Sequence, residues 1–195
     1  MTNRNLVYRK YLKRSLDLVF ALVVLVASSW LIVLIVLCYW ISFSAPILFF
    51  QERIGKDEKT IRIIKFRTLK RGDGDAGTRR FLLGDILRFT SLDELPQLIN
   101  ILKGEMSIIG PRPLPVEYLS LYTSEQRRRH SVLPGVTGMA QVNGRHSISW
   151  DKKFVFDLYY VDNLSFILDL KIMIKTIVLI LSFRRDVSLE EERLK

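Results

Sequence analysis

Cysteine is almost absent: Cys38 is the only one, and it lies inside an apolar run. A single thiol excludes a disulfide framework and a cysteine metal cluster, and gives no sign of an oxidising compartment. Histidine is nearly as scarce. His130 and His146 are too few and too far apart in sequence for a histidine metal site, so each reads as an ordinary polar contact. Acidic residues are outnumbered, 20 against 30 Lys and Arg, which leaves a net charge of +10. That excess implies an anionic partner, and nucleic acid, anionic lipid and a phosphorylated small substrate all satisfy it. Nucleic acid is the weakest of the three, because the basic residues cluster beside apolar segments and glycines and no nucleic-acid motif accompanies them. No internal repeat is visible. At 195 residues and 49% hydrophobic, the chain can build one domain with its own core plus a membrane segment.

Charge itself is missing between Asp17 and Glu52, and Leu18 to Ile41 is dominated by Leu, Val, Ile, Ala, Phe and Trp. The run far exceeds the roughly 7 to 15 residues of a signal-peptide core, so it reads as a membrane segment of the mature protein. As one straight helix the charge-free stretch would be on the order of 50 Å long, against a hydrocarbon core of about 30 Å. Basic residues crowd both flanks: Arg9, Lys10, Lys13 and Arg14 before it, then Arg53, Lys56, Lys59, Arg62, Lys65 and Arg67 after it. A simple span would leave one cluster on the wrong side of the membrane. The economical expectation is a re-entrant helix with both flanks in the cytoplasm. Ser28 and Ser29, in the middle of the run, can return hydrogen bonds to carbonyls freed at a bend.

Past this segment, Ile47 to Glu52 and Thr60 to Phe66 are rich in β-formers and bracket the turn Gly55-Lys56-Asp57, which predicts a β-hairpin. Lys70 to Arg80 is a polar, Gly- and Asp-rich loop. Its glycine spacing is no dinucleotide fingerprint, since no apolar strand leads into it. Phe81 to Phe89 and Leu95 to Leu102 have the apolar spacing of two short helices. Pro134-Gly135 and Gly138 read as turns. Asn163 to Phe183 alternates apolar runs with Asp169, Lys171 and Lys175, the pattern of an interfacial amphipathic helix or of a helix packed on the core. Trp150, Phe154, Phe156, Tyr159 and Tyr160 read as core or interface aromatics, and Arg184 to Lys195 as a charged, frayed tail.

Between the two short helices lies Ser91-Leu-Asp93-Glu94-Leu-Pro96-Gln-Leu98, an acidic pair in basic surroundings. Ser91 with Glu94 fits a capping box, and acids in a first helical turn are favoured by the helix dipole. The alternative is chemistry on a phosphate, which would need a divalent cation or basic residues to offset repulsion. Candidates for the second role exist. Gly110-Pro111-Arg112-Pro113 holds Arg112 between two prolines that restrict the backbone, and a rigidly displayed guanidinium suits a bidentate phosphate contact. Arg88 and Arg145 are further candidates; each of the three also reads as an ordinary exposed arginine.

Six segments together resemble the monotopic phosphoglycosyl transferases of the bacterial sugar transferase family, in its small form. They are Leu-Lys-Arg-Ser-Leu-Asp17, Ile-Lys65-Phe-Arg67-Thr, Ser-Leu-Asp93-Glu94-Leu-Pro-Gln-Leu, Ser-Ile-Ile-Gly-Pro-Arg112-Pro, Pro-Gly-Val-Thr-Gly-Met-Ala-Gln-Val-Asn-Gly-Arg145 and Asp157-Leu-Tyr-Tyr. The resemblance runs from about Arg9 to about Phe183. It implies transfer of a phospho-sugar from a UDP-sugar, first an N-acetylated one, to undecaprenyl phosphate with release of UMP, the first membrane step of glycoconjugate synthesis. It implies Asp93 as the nucleophile on the β-phosphorus, a covalent aspartyl phospho-sugar, and Mg²⁺ held by Asp93 and Glu94. Lys65, Arg88, Arg112 and Arg145 would neutralise the diphosphate; Asp157, and Asp169 after it, read either as support for the site or as structural carboxylates that cap a helix or pair with a nearby lysine.

The fold implied is an α+β, membrane-associated, monotopic one: a re-entrant N-terminal membrane helix, a small β-hairpin and several short or amphipathic helices at the interface, on the cytoplasmic face of the bacterial inner membrane. The parts are residues 1–46 for the basic flank and membrane helix, 47–183 for the catalytic domain and 184–195 for the tail. One departure stands out. The small form carries Ser-Pro at the bend, where this chain has Ser29-Trp30, so Ser28 and Ser29 or a bend near Pro46 must serve, with a tilted single span as the alternative. A homodimer stays open. Competing functions are an Mg²⁺-dependent hydrolase of nucleotide sugars and a non-enzymatic basic module on anionic lipid or nucleic acid. Single cysteines at the two flanks of the apolar segment are expected to react with an impermeant thiol reagent from the same face; labelling from opposite faces would establish a span.

Overall fold

The computed structural model describes residues 6–42, 46–144 and 147–182. A π-helical turn, Tyr8–Leu12, leads into α1 (Lys13–Ala27) and α2 (Ser29–Ser42). The two helices form a pair bent by 56° at Ser28. Proline is not needed for that bend. The Ser28 hydroxyl donates to the Val24 carbonyl at 2.7 Å in competition with the backbone, a contact known to bend helices. No single helix among the described residues is long and apolar enough to cross a membrane; the bent pair together meets the length and composition. Trp30, in the position of the missing proline, points outward and is exposed.

The hairpin forms as the β-rich runs predict, with β1 (Leu48–Ile54) antiparallel to β2 (Thr60–Phe66) and Leu48 opposite Phe66. Two short helices follow, α3 (Leu82–Phe89) and α4 (Gln97–Lys103), with Pro96 as the residue preceding α4. Asn100 is fully buried and ties α4 to the hairpin: its side chain accepts from the Ile64 amide at 3.1 Å and donates to the Arg62 carbonyl at 2.8 Å. This brings the segment before α4 against Lys65 of β2.

Pro134-Gly135 and Gly138, expected as turns, do something else. Gly135–Thr137 is a strand, β4, that pairs in parallel with β3 (Ser107–Ile109). The pairing depends on glycine: a Cβ on Gly110, Gly135 or Gly138 would lie 2.1 to 2.3 Å from backbone atoms of the facing segment. The chain continues through α5 (Ser124–Arg127) and α6 (Met139–Val142) to α7 (Trp150–Asn163) and α8 (Phe166–Leu181). Helix α8 packs Ile172 and Asp169 inward and exposes Phe166, Ile167, Leu170, Ile174, Ile177 and Leu181, so one stripe serves the core and the rest is an open apolar face. The expected tail, 184–195, lies outside the described residues.

Four apolar clusters make the core, and α1 and α2 contribute to three of them through Tyr8, Ala21, Ile35 and Tyr39, Tyr8 coming from the turn that opens α1. Between them runs a buried polar latch. Asp169 of α8 accepts from Tyr8 (2.6 Å), Lys13 (2.7 Å) and Tyr160 (2.9 Å). Asp17 of α1 accepts from the Ser107 hydroxyl (2.7 Å) and the Ile108 amide (3.2 Å) of β3. The latch favours the structural one of the two readings of Asp169: it pairs with Lys13 and is not in the cavity described below. Breaking a buried pair by removing one partner costs about 3 to 5 kcal/mol. Asp169→Asn is therefore expected to lower the unfolding midpoint of the detergent-solubilised protein sharply, while Asp169→Leu with Lys13→Met recovers most of the loss; a midpoint unchanged by Asp169→Asn would refute the latch.

Candidate active site

A cavity of about 830 Å³ opens between the hairpin, the 67–80 loop, the β3–β4 crossing, α7 and α8. The acidic pair stands in its wall. Leu92–Glu94 forms one 3-10 turn, and Ser91 before it is left-handed (φ 58°) with no side-chain cap bond, so the capping box that the spacing allowed does not form. Neither carboxylate is engaged in a cap.

The two neighbours have different surroundings. Glu94 receives Lys65 at 2.5 Å and Arg112 at 3.6 Å. Burial pushes its carboxyl up, but the two cations outweigh burial and hold it at about 2. Asp93 is as buried as a core residue and makes no ion pair or hydrogen bond with another described side chain. Burial, reinforced by the negative charge of Glu94, raises its carboxyl to about 6 against the pull of Lys65, Arg88 and Arg112. Glu94 holds Lys65 and Arg112, and its neighbour is left desolvated, with no ion pair among the described residues.

Of the cations predicted from sequence, Lys65, Arg88 and Arg112 all line this cavity. Arg88 is braced by the Thr68 hydroxyl at 2.7 Å. Arg145 lies outside the described residues. Asp157 reaches the same cavity, but its carboxylate is occupied by Arg129, whose Nε and Nη2 donate at 3.0 and 2.7 Å. It therefore faces the cavity already paired with that arginine. Arg129 went unnoticed in the sequence. It sits in the run Arg127-Arg128-Arg129, where Arg127 turns to Glu58 and Arg128 to Glu125 and Asp162, and nothing local marks the third as the inward one. Lys153, Trp150, Phe154 and Gln141 also line the cavity. His130 is buried against the Tyr122 ring; burial, with Arg129 adjoining, lowers it to about 4 and keeps it neutral.

Among the described residues no three His, Cys, Asp or Glu come together, so there is no all-protein metal cage. Magnesium does not require one. It is commonly held by one or two carboxylates plus substrate phosphates, and Asp93 and Glu94 are the residues that would supply such a pair. Burial is the larger cause that lifts Asp93; the negative charge of Glu94, which adds to it, is what a cation would offset.

The sequence pattern described as bacterial sugar transferase matches residues 8–183. The chain belongs to the bacterial sugar transferase family. Among its relatives in the family is the "uncharacterized sugar transferase EpsL" of Bacillus subtilis (strain 168), 45% identical over 85% of each chain. The UDP-glucose:undecaprenyl-phosphate glucose-1-phosphate transferase of Escherichia coli (strain K12) is 38% identical over 86% of this chain and 40% of its own. The UDP-N-acetylgalactosamine-undecaprenyl-phosphate N-acetylgalactosaminephosphotransferase of Aeromonas hydrophila is 34% identical over 88% of this chain and 44% of its own. The last two relatives are thus more than twice as long as the region this sugar transferase shares with them.

The raised Asp93 has a consequence for stability. Folded-state ionisation is disfavoured, so the carboxylate adds nothing adverse below the unfolded value near 3.8 and becomes a penalty as pH rises through about 6. Asp93→Asn removes that penalty, worth on the order of 2 to 3 kcal/mol. The variant is expected to unfold at a higher temperature than wild type at pH 8, with the difference closing as pH falls to 4. A variant no more stable at pH 8 than wild type would contradict a desolvated, unpaired Asp93.

Proposed function

We propose that this chain transfers a phospho-sugar from a UDP-sugar to undecaprenyl phosphate, releasing UMP, by way of a covalent phospho-sugar on Asp93. The observation that carries the reading is the contrast within the acidic pair: Glu94 is neutralised by Lys65 and Arg112, while Asp93 stays an unpaired, desolvated carboxylate facing the cavity. Desolvation makes a carboxylate a better nucleophile, and covalent catalysis divides one displacement into two.

In the first step a carboxylate oxygen of Asp93 attacks the β-phosphorus. The bond from that phosphorus to the bridging oxygen breaks, and UMP leaves with the electron pair. In the second step a phosphate oxygen of the lipid attacks the same phosphorus, Asp93 is expelled as carboxylate, and polyprenyl diphosphate sugar forms. Lys65, Arg88 and Arg112 balance the diphosphate charge so that an anion can approach it, Glu94 keeping Lys65 and Arg112 oriented until substrate arrives. Mg²⁺ bound by Asp93, Glu94 and the diphosphate would supply Lewis-acid charge neutralisation. Two of the relatives named above act on UDP-glucose and on UDP-N-acetylgalactosamine; for this chain a UDP-N-acetylated hexose is the first choice.

The acceptor is a lipid, and the apolar surface supports the setting. Trp40 and Ile41 of α2, Leu82 and Phe89 of α3, and the open face of α8 are exposed side chains that water would not favour. With the bend at Ser28 they support a re-entrant, monotopic seat with the charged cavity at headgroup level, and the basic residues on both flanks of the apolar segment favour the cytoplasmic face. The test is UMP release by purified protein from a panel of UDP-sugars with Mg²⁺, with and without undecaprenyl phosphate, beside Asp93→Asn. Acceptor-dependent release that falls at least a thousandfold in the variant is expected. Release independent of acceptor would establish a hydrolase instead, and silence across the panel with retained lipid binding would leave a basic membrane module.

A further inference from the structure

Arg112 lies in a stretch fastened by backbone bonds on both sides, since beyond it the Leu114 carbonyl accepts from the Ile54 amide at 2.9 Å. Pro111 and Pro113 flank it and neither has an N–H to donate. The preceding backbone is fastened, with the Gly135 amide donating to the Pro111 carbonyl at 3.0 Å and the Gly110 amide to Thr137 at 2.9 Å. The carbonyl of Arg112 itself receives a side chain: Nη2 of Arg129, at 2.8 Å. That guanidinium is only 2% exposed. Its Nε and Nη2 both reach Asp157 Oδ2, its Nη1 faces the Tyr122 hydroxyl at 3.4 Å, and the rings of Tyr122 and Phe154 lie 5.9 and 5.7 Å from its centre.

We propose that Arg129 is the positioning residue for Arg112: anchored by Asp157, it fixes the Arg112 backbone so that the Arg112 guanidinium stands over Glu94 and over the diphosphate of the substrate. Only arginine can do this from that place, because a planar fork with five donors can hold a carboxylate and a carbonyl at once while remaining charged. Lysine would keep the charge and lose the fork. The activity part of the inference rests on the transferase reading, whereas the coupling of Arg129 to Arg112 does not.

The test is a double-mutant cycle read on anion binding, with inorganic pyrophosphate titrated calorimetrically into the full-length detergent-solubilised protein, and on kcat/KM for UMP release in parallel. Arg129→Lys is expected to weaken pyrophosphate binding about tenfold in the presence of Arg112, the scale of one charge-assisted hydrogen bond lost, and less than twofold when Arg112 is already alanine. Equal losses in both backgrounds, or no pyrophosphate binding by wild type, would overturn the proposal. Should Arg129→Lys fail to fold, Asp157→Asn, which keeps Arg129 and weakens its anchor, is expected to show the same dependence on Arg112, and independence would again overturn it. Pyrophosphate coupling without UMP release from any UDP-sugar would remove the transferase reading and leave the positioning role standing.

Discussion

The buried latch between the apolar helices and the rest of the chain is the constraint on which the structure depends. Past Asp17 the helical pair carries no charge and few polar groups with which to choose an orientation, the Tyr39 hydroxyl on the Arg67 carbonyl among them, so its attachment falls largely to the charges at its entrance. Lys13 and Tyr8 close on Asp169 of α8, and Asp17 closes on Ser107 and Ile108 of β3. Such a buried set contributes little net stability compared with an apolar replacement, but any arrangement that separates its members is strongly disfavoured. It therefore selects one geometry. Because β3 runs straight into Gly110-Pro111-Arg112, the carboxylate of the apolar helix and the cation of the cavity are joined by a few residues of fixed backbone.

Within the cavity the same chemistry is divided by environment. Asp93 and Glu94 are adjacent carboxylates with opposite shifts, one pushed to about 6 by burial and its neighbour's charge, the other held near 2 by Lys65 and Arg112. Titratable neighbours driven apart in this way commonly take separate roles. Glu94 organises the cations and Asp93 is left available. An unsatisfied buried charge is costly to the fold, which is the usual sign that a group is retained for chemistry.

Much of this was legible in the sequence because it is carried by local signals. The β-rich runs on either side of Gly55-Lys56-Asp57 gave the hairpin, Pro96 gave the start of α4, and the Ser28-Ser29 pair gave the bend without proline. What was not legible is non-local. Strands of three residues in glycine-rich segments have no usable periodicity, so the β3–β4 crossing read as turns. Ser91 could have capped a helix by spacing, but its left-handed backbone turns it away. Asp169 meets Lys13 across most of the chain, and Arg129 is distinguished from Arg127 and Arg128 only by which way the chain folds around it.

The central claim is that Asp93 becomes covalently phosphorylated by the sugar phosphate. The direct measurement is the mass of the intact, acid-quenched protein after incubation with its UDP-sugar and Mg²⁺ in the absence of undecaprenyl phosphate, followed by peptide mapping. The account predicts an adduct of one sugar phosphate on the peptide that contains Asp93, which disappears when the lipid acceptor is added. Acceptor-dependent UMP release with the adduct on another residue, or with no adduct at any time before the acceptor is added, would contradict it.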